Sequence, residues 1–101
     1  MLLMATDNRT MKARAEIFKA LGNPARLAMV VALGKGNLCV RDLQELVGSD
    51  MSTVSKHLTV LRSVGLVENE KRGKRVLYSL RFPCILDFLD CVDNALRAPR
   101  A

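Results

Sequence analysis

Apolar residues recur along this chain at helical intervals, stop, and then change period. Met11, Ala15, Phe18 and Leu21 stand three and four apart, which predicts a helix from Thr10 that Gly22 ends. Asn23-Pro24 opens a second helix, with Asn as N-cap and Pro in the first turn. Its apolar positions are Leu27, Val30, Val31 and Leu33, and Gly34-Lys35-Gly36-Asn37 closes it. Leu38-Cys39-Val40 reads as a short extended approach to a brief third helix, Arg41 to Val47, with Leu43, Leu46 and Val47 inward. After the turn Gly48-Ser49-Asp50 comes a fourth helix with Val54, Leu58 and Leu61 on one stripe, ended by Gly65. The period then shortens to two. Leu66 to Lys71 and Arg75 to Leu80 read as strands joined at Arg72-Gly73-Lys74. Pro83 opens a last helix to about Leu96.

This order predicts a mainly α fold with a small β-hairpin, α-α-α-α-β-β-α. Two helices across a short Gly-containing turn form a helix-turn-helix, and a hairpin directly after it forms a wing. The expected domain covers residues 10–97, with a loose leader at 1–9 and a short tail at 98–101. The first and last helices carry apolar stripes wider than one neighbour needs, so they are expected to join two copies into a homodimer.

Composition narrows the function. The chain has 101 residues, a net charge of +6 and no Trp, which suits one small basic domain directed at nucleic acid. Met1-Leu2-Leu3-Met4-Ala5 is too short for a signal core and no run approaches a membrane span, so a cytoplasmic protein is expected. An enzyme is not expected: there is no phosphate-binding Gly loop, and the chain has one His and no spacing that sets a base beside a thiol.

The fourth helix carries the DNA-reading pattern. Outside its aliphatic stripe it presents Ser52, Thr53, Ser55, Lys56, His57 and Thr59, with Arg62 beyond. Short hydroxyl side chains let a helix approach base edges, and cations meet phosphates. A solvated polar face would look similar, but the hairpin tip Lys71-Arg72-Gly73-Lys74-Arg75 adds four cations on a protruding loop. Arg72, Lys74 and Arg75 there would release counterions from a duplex. A twofold dimer would cover two half-sites about 34 Å, or a multiple of that, apart. A winged helix serving only as a protein-interaction module is the reading from another class.

Several runs together resemble the ArsR/SmtB metalloregulators over roughly residues 12–96. They are Phe18-Lys19-Ala20-Leu21 with Arg26-Leu27, Leu38-Cys39-Val40-Arg41-Asp42-Leu43, Ser52 to Leu58 followed by Leu61-Arg62 and Gly65-Leu66-Val67, and Arg72-Gly73-Lys74-Arg75 with Tyr78. The resemblance implies a dimeric bacterial repressor released from its operator when a metal or metalloid binds or thiols are modified. Two departures stand out. Arsenic-sensing members often carry two thiols in the central box, where this chain has Cys39 but Arg41 in the second place. Zinc-sensing members use His and acidic residues on the last helix, which here has no His.

Cys39, Cys84 and Cys91 are the three cysteines. An odd number in a reducing compartment does not make a disulfide framework. Cys84, Phe88, Cys91 and Ala95 share one stripe, so the tail thiols could simply pack. As ligands they meet a geometric limit, because seven residues of helix rise about 10.5 Å. A shared ion therefore needs a late helix start, a thiol from the partner, or Cys39 completing the set. Three thiolates without a nearby His favour a three-coordinate thiophile, since tetrahedral zinc would want a fourth ligand and Asp87 or Asp90 serves poorly. By resemblance, the leading inducer is arsenite or antimonite. The alternatives are zinc, cadmium, or reactive sulfur that links Cys39 to a tail cysteine.

Overall fold

The computed structural model describes residues 7–100. Five helices and three short strands follow in the order α1 (Asn8–Leu21), α2 (Pro24–Leu33), β1 (Leu38–Cys39), α3 (Val40–Val47), α4 (Met51–Ser63), β2 (Val67–Arg72), β3 (Arg75–Leu80) and α5 (Ile85–Arg97). The winged helix-turn-helix is therefore present as the sequence pattern predicts, with one addition. Leu38-Cys39 is a strand rather than a mere approach. It pairs antiparallel with β3, Leu38 opposite Tyr78 and Cys39 opposite Leu77, giving a three-stranded sheet in the order β1-β3-β2.

Local chemistry sets the boundaries. α1 begins at Asn8, two residues before the periodicity suggests, because Asp7 caps it by accepting from the Arg9 and Thr10 N–H groups. The expected leader thus ends sooner, and its first six residues lie outside the described residues. The Asn23 side chain caps α2 through the Ala25 and Arg26 N–H groups, with Pro24 at the first helical position. In the wing, Arg72 still pairs with Arg75, so the turn is Gly73-Lys74 alone. Gly73 has φ 62°, a backbone that side-chain-bearing residues rarely adopt. Pro83 and Cys84 form a turn ahead of α5 rather than its first turn.

The core lies between α2, α3, α4 and the inner face of the sheet. Met29, Val30, Leu43, Val54, Leu58 and Leu61 are buried there, with Leu66, Val67 and Tyr78 from the wing and Ala20 and Leu21 from α1. The expected stripe of α4 faces inward as predicted. One expectation fails: Leu46 of α3, read as inward, is exposed. Met11, Ala15 and Phe18 of α1 and Val31 of α2 are exposed as well, and Met29 is buried on α2. Helical spacing marks which residues share a face but not which of two apolar faces meets the core.

α5 is seated differently. Ile85, Leu86 and Leu89 pack against the core from its first half, yet no residue of the helix is buried. The Phe18 and Phe88 rings meet edge to face with centroids 5.6 Å apart, joining α1 to α5. Gly34, just after α2, lets this approach happen, since a Cβ there would collide with the Leu86 side chain.

Candidate nucleic-acid interface and thiol sites

The reading helix is positioned by two groups outside the motif itself. Asp50 caps α4, its carboxylate accepting the Thr53 N–H at 2.7 Å. That hydrogen bond, chiefly with the Thr53 backbone, holds the Asp50 carboxyl below its ordinary value. Arg26 is the second group. Its guanidinium donates to the Ala20 carbonyl at 2.6 Å, to the Lys19 carbonyl at 3.3 Å and to His57 Nδ1 at 3.2 Å. An arginine can only donate, so Nδ1 accepts, and the neutral ring carries its proton on Nε2. One side chain of α2 thus ties the open carbonyl end of α1 to the middle of the reading helix. His57, expected among the DNA-facing groups, is instead half-buried and held by this contact.

The remaining predicted residues divide by exposure. Ser52, Ser55, Lys56, Thr59 and Arg62 are exposed along one side of α4, opposite Val54, Leu58 and Leu61, while Thr53 is half-buried. The Thr59 hydroxyl donates to the Ser55 carbonyl of its own helix at 3.0 Å, which leaves its oxygen as an acceptor. In the wing, Arg72, Lys74 and Arg75 are exposed, as is Lys71. Arg72 meets Glu70 at 3.3 Å with both side chains largely in solvent. Such a pair is worth about 0–1 kcal/mol and gives way readily to a phosphate. Arg81 fixes the wing to the end of the reading helix, reaching the Gly65 carbonyl at 3.4 Å and Glu68 at 3.7 Å.

Cys39 joins this interface from behind. Its thiol donates to Asp42 Oδ2 at 3.1 Å and its backbone N–H to the same oxygen at 3.2 Å. These two bonds, the thiol's first, hold Asp42 below the ordinary carboxylate range, and Arg75 adds to the effect. An Nη of Arg75 lies 3.6 Å from the Cys39 sulfur. A cleft of about 500 Å³ is lined by Cys39, Val40, Arg41, Asp42, Arg75 and Val76. One thiol therefore touches both the start of the helix-turn-helix and a cation of the wing, and Arg75 leans on sulfur as well as facing solvent. Cys84 and Cys91 are exposed, Cys84 in the turn before α5 and Cys91 on the helix.

The three thiols are not gathered within one chain. Among the described residues, no group of three His, Cys, Asp or Glu side chains is placed to hold a metal ion. Donors for such an ion would have to come from two chains or from a rearranged one. The capping roles of Asp50 and Asp42 and the bridging role of Arg26 are what motif reading misses, although Asp42 and Arg26 stand in the family-like runs. An Asp directly before a helical run, or three residues after a helix start, is a legible cap signal for the first two. Arg26 gives no local signal, because its partners lie six, seven and thirty-one residues away.

A helix with a hydroxyl-rich exposed side, set on a helix-turn-helix beside a cationic hairpin, defines a winged-helix transcriptional regulator rather than an enzyme. Similarity to known proteins identifies the group: the chain belongs to the arsR family of bacterial regulatory proteins, whose model matches residues 23–69. It is 37% identical over 84 residues to the transcriptional regulator NmtR of Mycobacterium tuberculosis, covering 83% of this chain and 70% of that protein. It is 39% identical over 67 residues to a cadmium resistance regulatory protein CadC homolog of Staphylococcus aureus, covering 65% of this chain and 55% of the other. The chain spans about half the length of the SmtB repressors that it also matches. Among solved structures, Rv0081 of M. tuberculosis superposes with a TM-score of 0.79 at 32% identity, covering 89% of this chain and 91% of that one. The homodimeric winged helix-turn-helix DNA-binding domain Mb0332 of Mycobacterium bovis superposes with a TM-score of 0.78 at 26% identity, covering 91% of each chain.

Proposed function

We propose that the chain is a homodimeric repressor that grips operator DNA with α4 and the wing and lets go when its thiols capture an inducer. The observation that carries the DNA reading is the shared exposure of Ser52, Ser55, Lys56, Thr59 and Arg62 with Arg72 and Lys74. Hydroxyls suit base edges, and the cations supply affinity that falls with salt. The exposed apolar residues Met11 and Phe18 of α1 and Phe88, Val92 and Leu96 of α5 support pairing through the terminal helices. The homodimeric relative from M. bovis supports the same assembly.

Cys39 supports the thiol reading. Loss of its proton, by coordination or by oxidation, takes away the thiol hydrogen bond to Asp42, leaving that of the Cys39 N–H, and alters the surroundings of Arg75. The inducer class is a thiophilic ion, with arsenite or antimonite first and cadmium or zinc next. Cys39, Cys84 and Cys91 would hold it, drawn from both subunits. A reactive-sulfur inducer is the second reading, favoured by the solvent access of Cys84 and Cys91.

The test is fluorescence anisotropy on duplex DNA across a salt series, followed by release with arsenite, antimonite, cadmium, zinc and a polysulfide. Wild type and each Cys→Ser variant are compared. Salt-dependent binding, and release lost in Cys39→Ser, are expected. Binding that is absent or insensitive to salt would point to a protein-interaction module, and three serine variants that all release like wild type would end the thiol reading.

A further inference from the structure

Large exposed apolar side chains among the described residues fall into groups. Met11, Phe18, Phe82, Phe88, Val92 and Leu96 lie on the terminal helices or at the entry to α5, where the proposed twofold interface accounts for them. Val31 lines a cleft shared with Leu86 and Leu89. Leu46 and Met51 belong to neither set and stand on the helix-turn-helix itself.

Met51 is the first residue of α4 and is 43% exposed. Helix geometry puts it one turn before Ser55 and on the same edge of the exposed side as Arg62. In a reading helix, the N-terminal residues are the ones that reach base edges.

Asp50 decides what this first turn can bind. Helix N-termini commonly hold phosphate. Here the carboxylate already takes the Thr53 N–H and puts a negative charge at the entry, so a DNA phosphate is disfavoured. What remains for the groove is the Met51 thioether flanked by the Ser52 and Ser55 hydroxyls. The apolar feature that a major groove offers is a pyrimidine C5 methyl, native to thymine and present on 5-methylcytosine. An unbranched, polarizable side chain adapts well to such a contact.

We propose that Met51 reads a pyrimidine C5 methyl in each operator half-site and so helps to determine sequence specificity. The inference rests on the DNA-binding reading above.

The experiment uses the full chain and a duplex operator selected from a random library. Each thymine in the footprint is replaced in turn by deoxyuridine, which deletes only the methyl, and each cytosine by 5-methylcytosine. One thymine per half-site should show a loss of about fourfold on replacement, the transfer value of one methyl group. Met51→Ala should lose a similar amount on the thymine duplex and ignore the deoxyuridine change, whereas Met51→Leu should keep the sensitivity. Tightening of wild type, but not Met51→Ala, by 5-methylcytosine would support the same contact and assign it to that base. Thermal melts of both variants verify that they fold. Wild-type indifference to every methyl change overturns the proposal, as does a Met51→Ala variant that keeps the full deoxyuridine penalty. Failure to bind any selected duplex would overturn the DNA-binding reading along with it.

Discussion

α4 and α5 have the same length, thirteen residues each, and opposite fates. α4 sinks Val54, Leu58 and Leu61 completely into the core and shows solvent a polar side. α5 has the more sharply divided apolar and polar faces of the two, yet it buries none of its residues. A helix whose strong apolar face is covered only in part, at Ile85, Leu86, Leu89 and Phe88 in its first half, leaves Val92 and Leu96 open in a single chain. One half of the molecule is complete as a monomer and carries the reading surface. On our reading the other half is completed by a second copy and sets the spacing between two reading helices.

The sharpest way to break this contrast is through stability. Leu58→Ala or Leu61→Ala should lower the unfolding free energy by about 2–5 kcal/mol in a denaturant titration, because the cavity is fully enclosed. Val92→Glu in α5 should barely change the monomer's stability. It should instead shift sedimentation from dimer to monomer and remove most operator affinity. Equal destabilisation by the two kinds of substitution would refute the division.

Arg26→Ala lies between the halves, since it cuts α1 and His57 loose together. With a charged donor removed from partly buried acceptors, a fall of about 1.5–3 kcal/mol in unfolding free energy is expected, along with weaker DNA binding from a less fixed reading helix. Arg26→Lys should restore little, as a point charge cannot span three acceptors. Smaller again is the wing. The double change Arg72→Ala and Lys74→Ala should leave melting unchanged. It should reduce the slope of log affinity against log salt by about 0.9 for each phosphate no longer neutralised, up to two per subunit.

The smallest effect is acid sensitivity. Asp42 and Asp50 both titrate below the usual 3.8 in the folded chain. Their contribution to stability is therefore fully present above that unfolded value, and falls away as pH drops through the depressed native values. Asp50→Asn should flatten the stability profile below about pH 4 and leave it unchanged at neutral pH, because Asn caps a helix about as well as Asp and does not titrate. A profile with the same acid limb as wild type would show that the α4 cap contributes nothing measurable.

Some features are legible in sequence because their causes are local. The stripe Val54, Leu58, Leu61, the Asn23-Pro24 start and the Gly73 turn each arise from a few adjacent residues, so periodicity and capping rules reach them. β1 is harder to read, since two residues become a strand only where β3 supplies hydrogen-bond partners almost forty positions later. A similar distance separates Cys39 from Arg75, so the thiol's approach to the wing leaves no trace in either segment alone. His57 shows the converse. Its place in the motif suggests an outward role, and Arg26 draws it half inward.

The sequence alone determined the order of helices and hairpin, the inward stripe of the reading helix, the cationic tip and the polar side that faces away from the core. These are properties of short segments, governed by backbone preference and side-chain period. Only tertiary structure decided which apolar faces were buried and which were left exposed, and which of three thiols came to rest between the helix-turn-helix and the wing. Such outcomes depend on pairs of groups far apart in the chain, whose meeting is set by packing of whole elements rather than by any residue's own propensity.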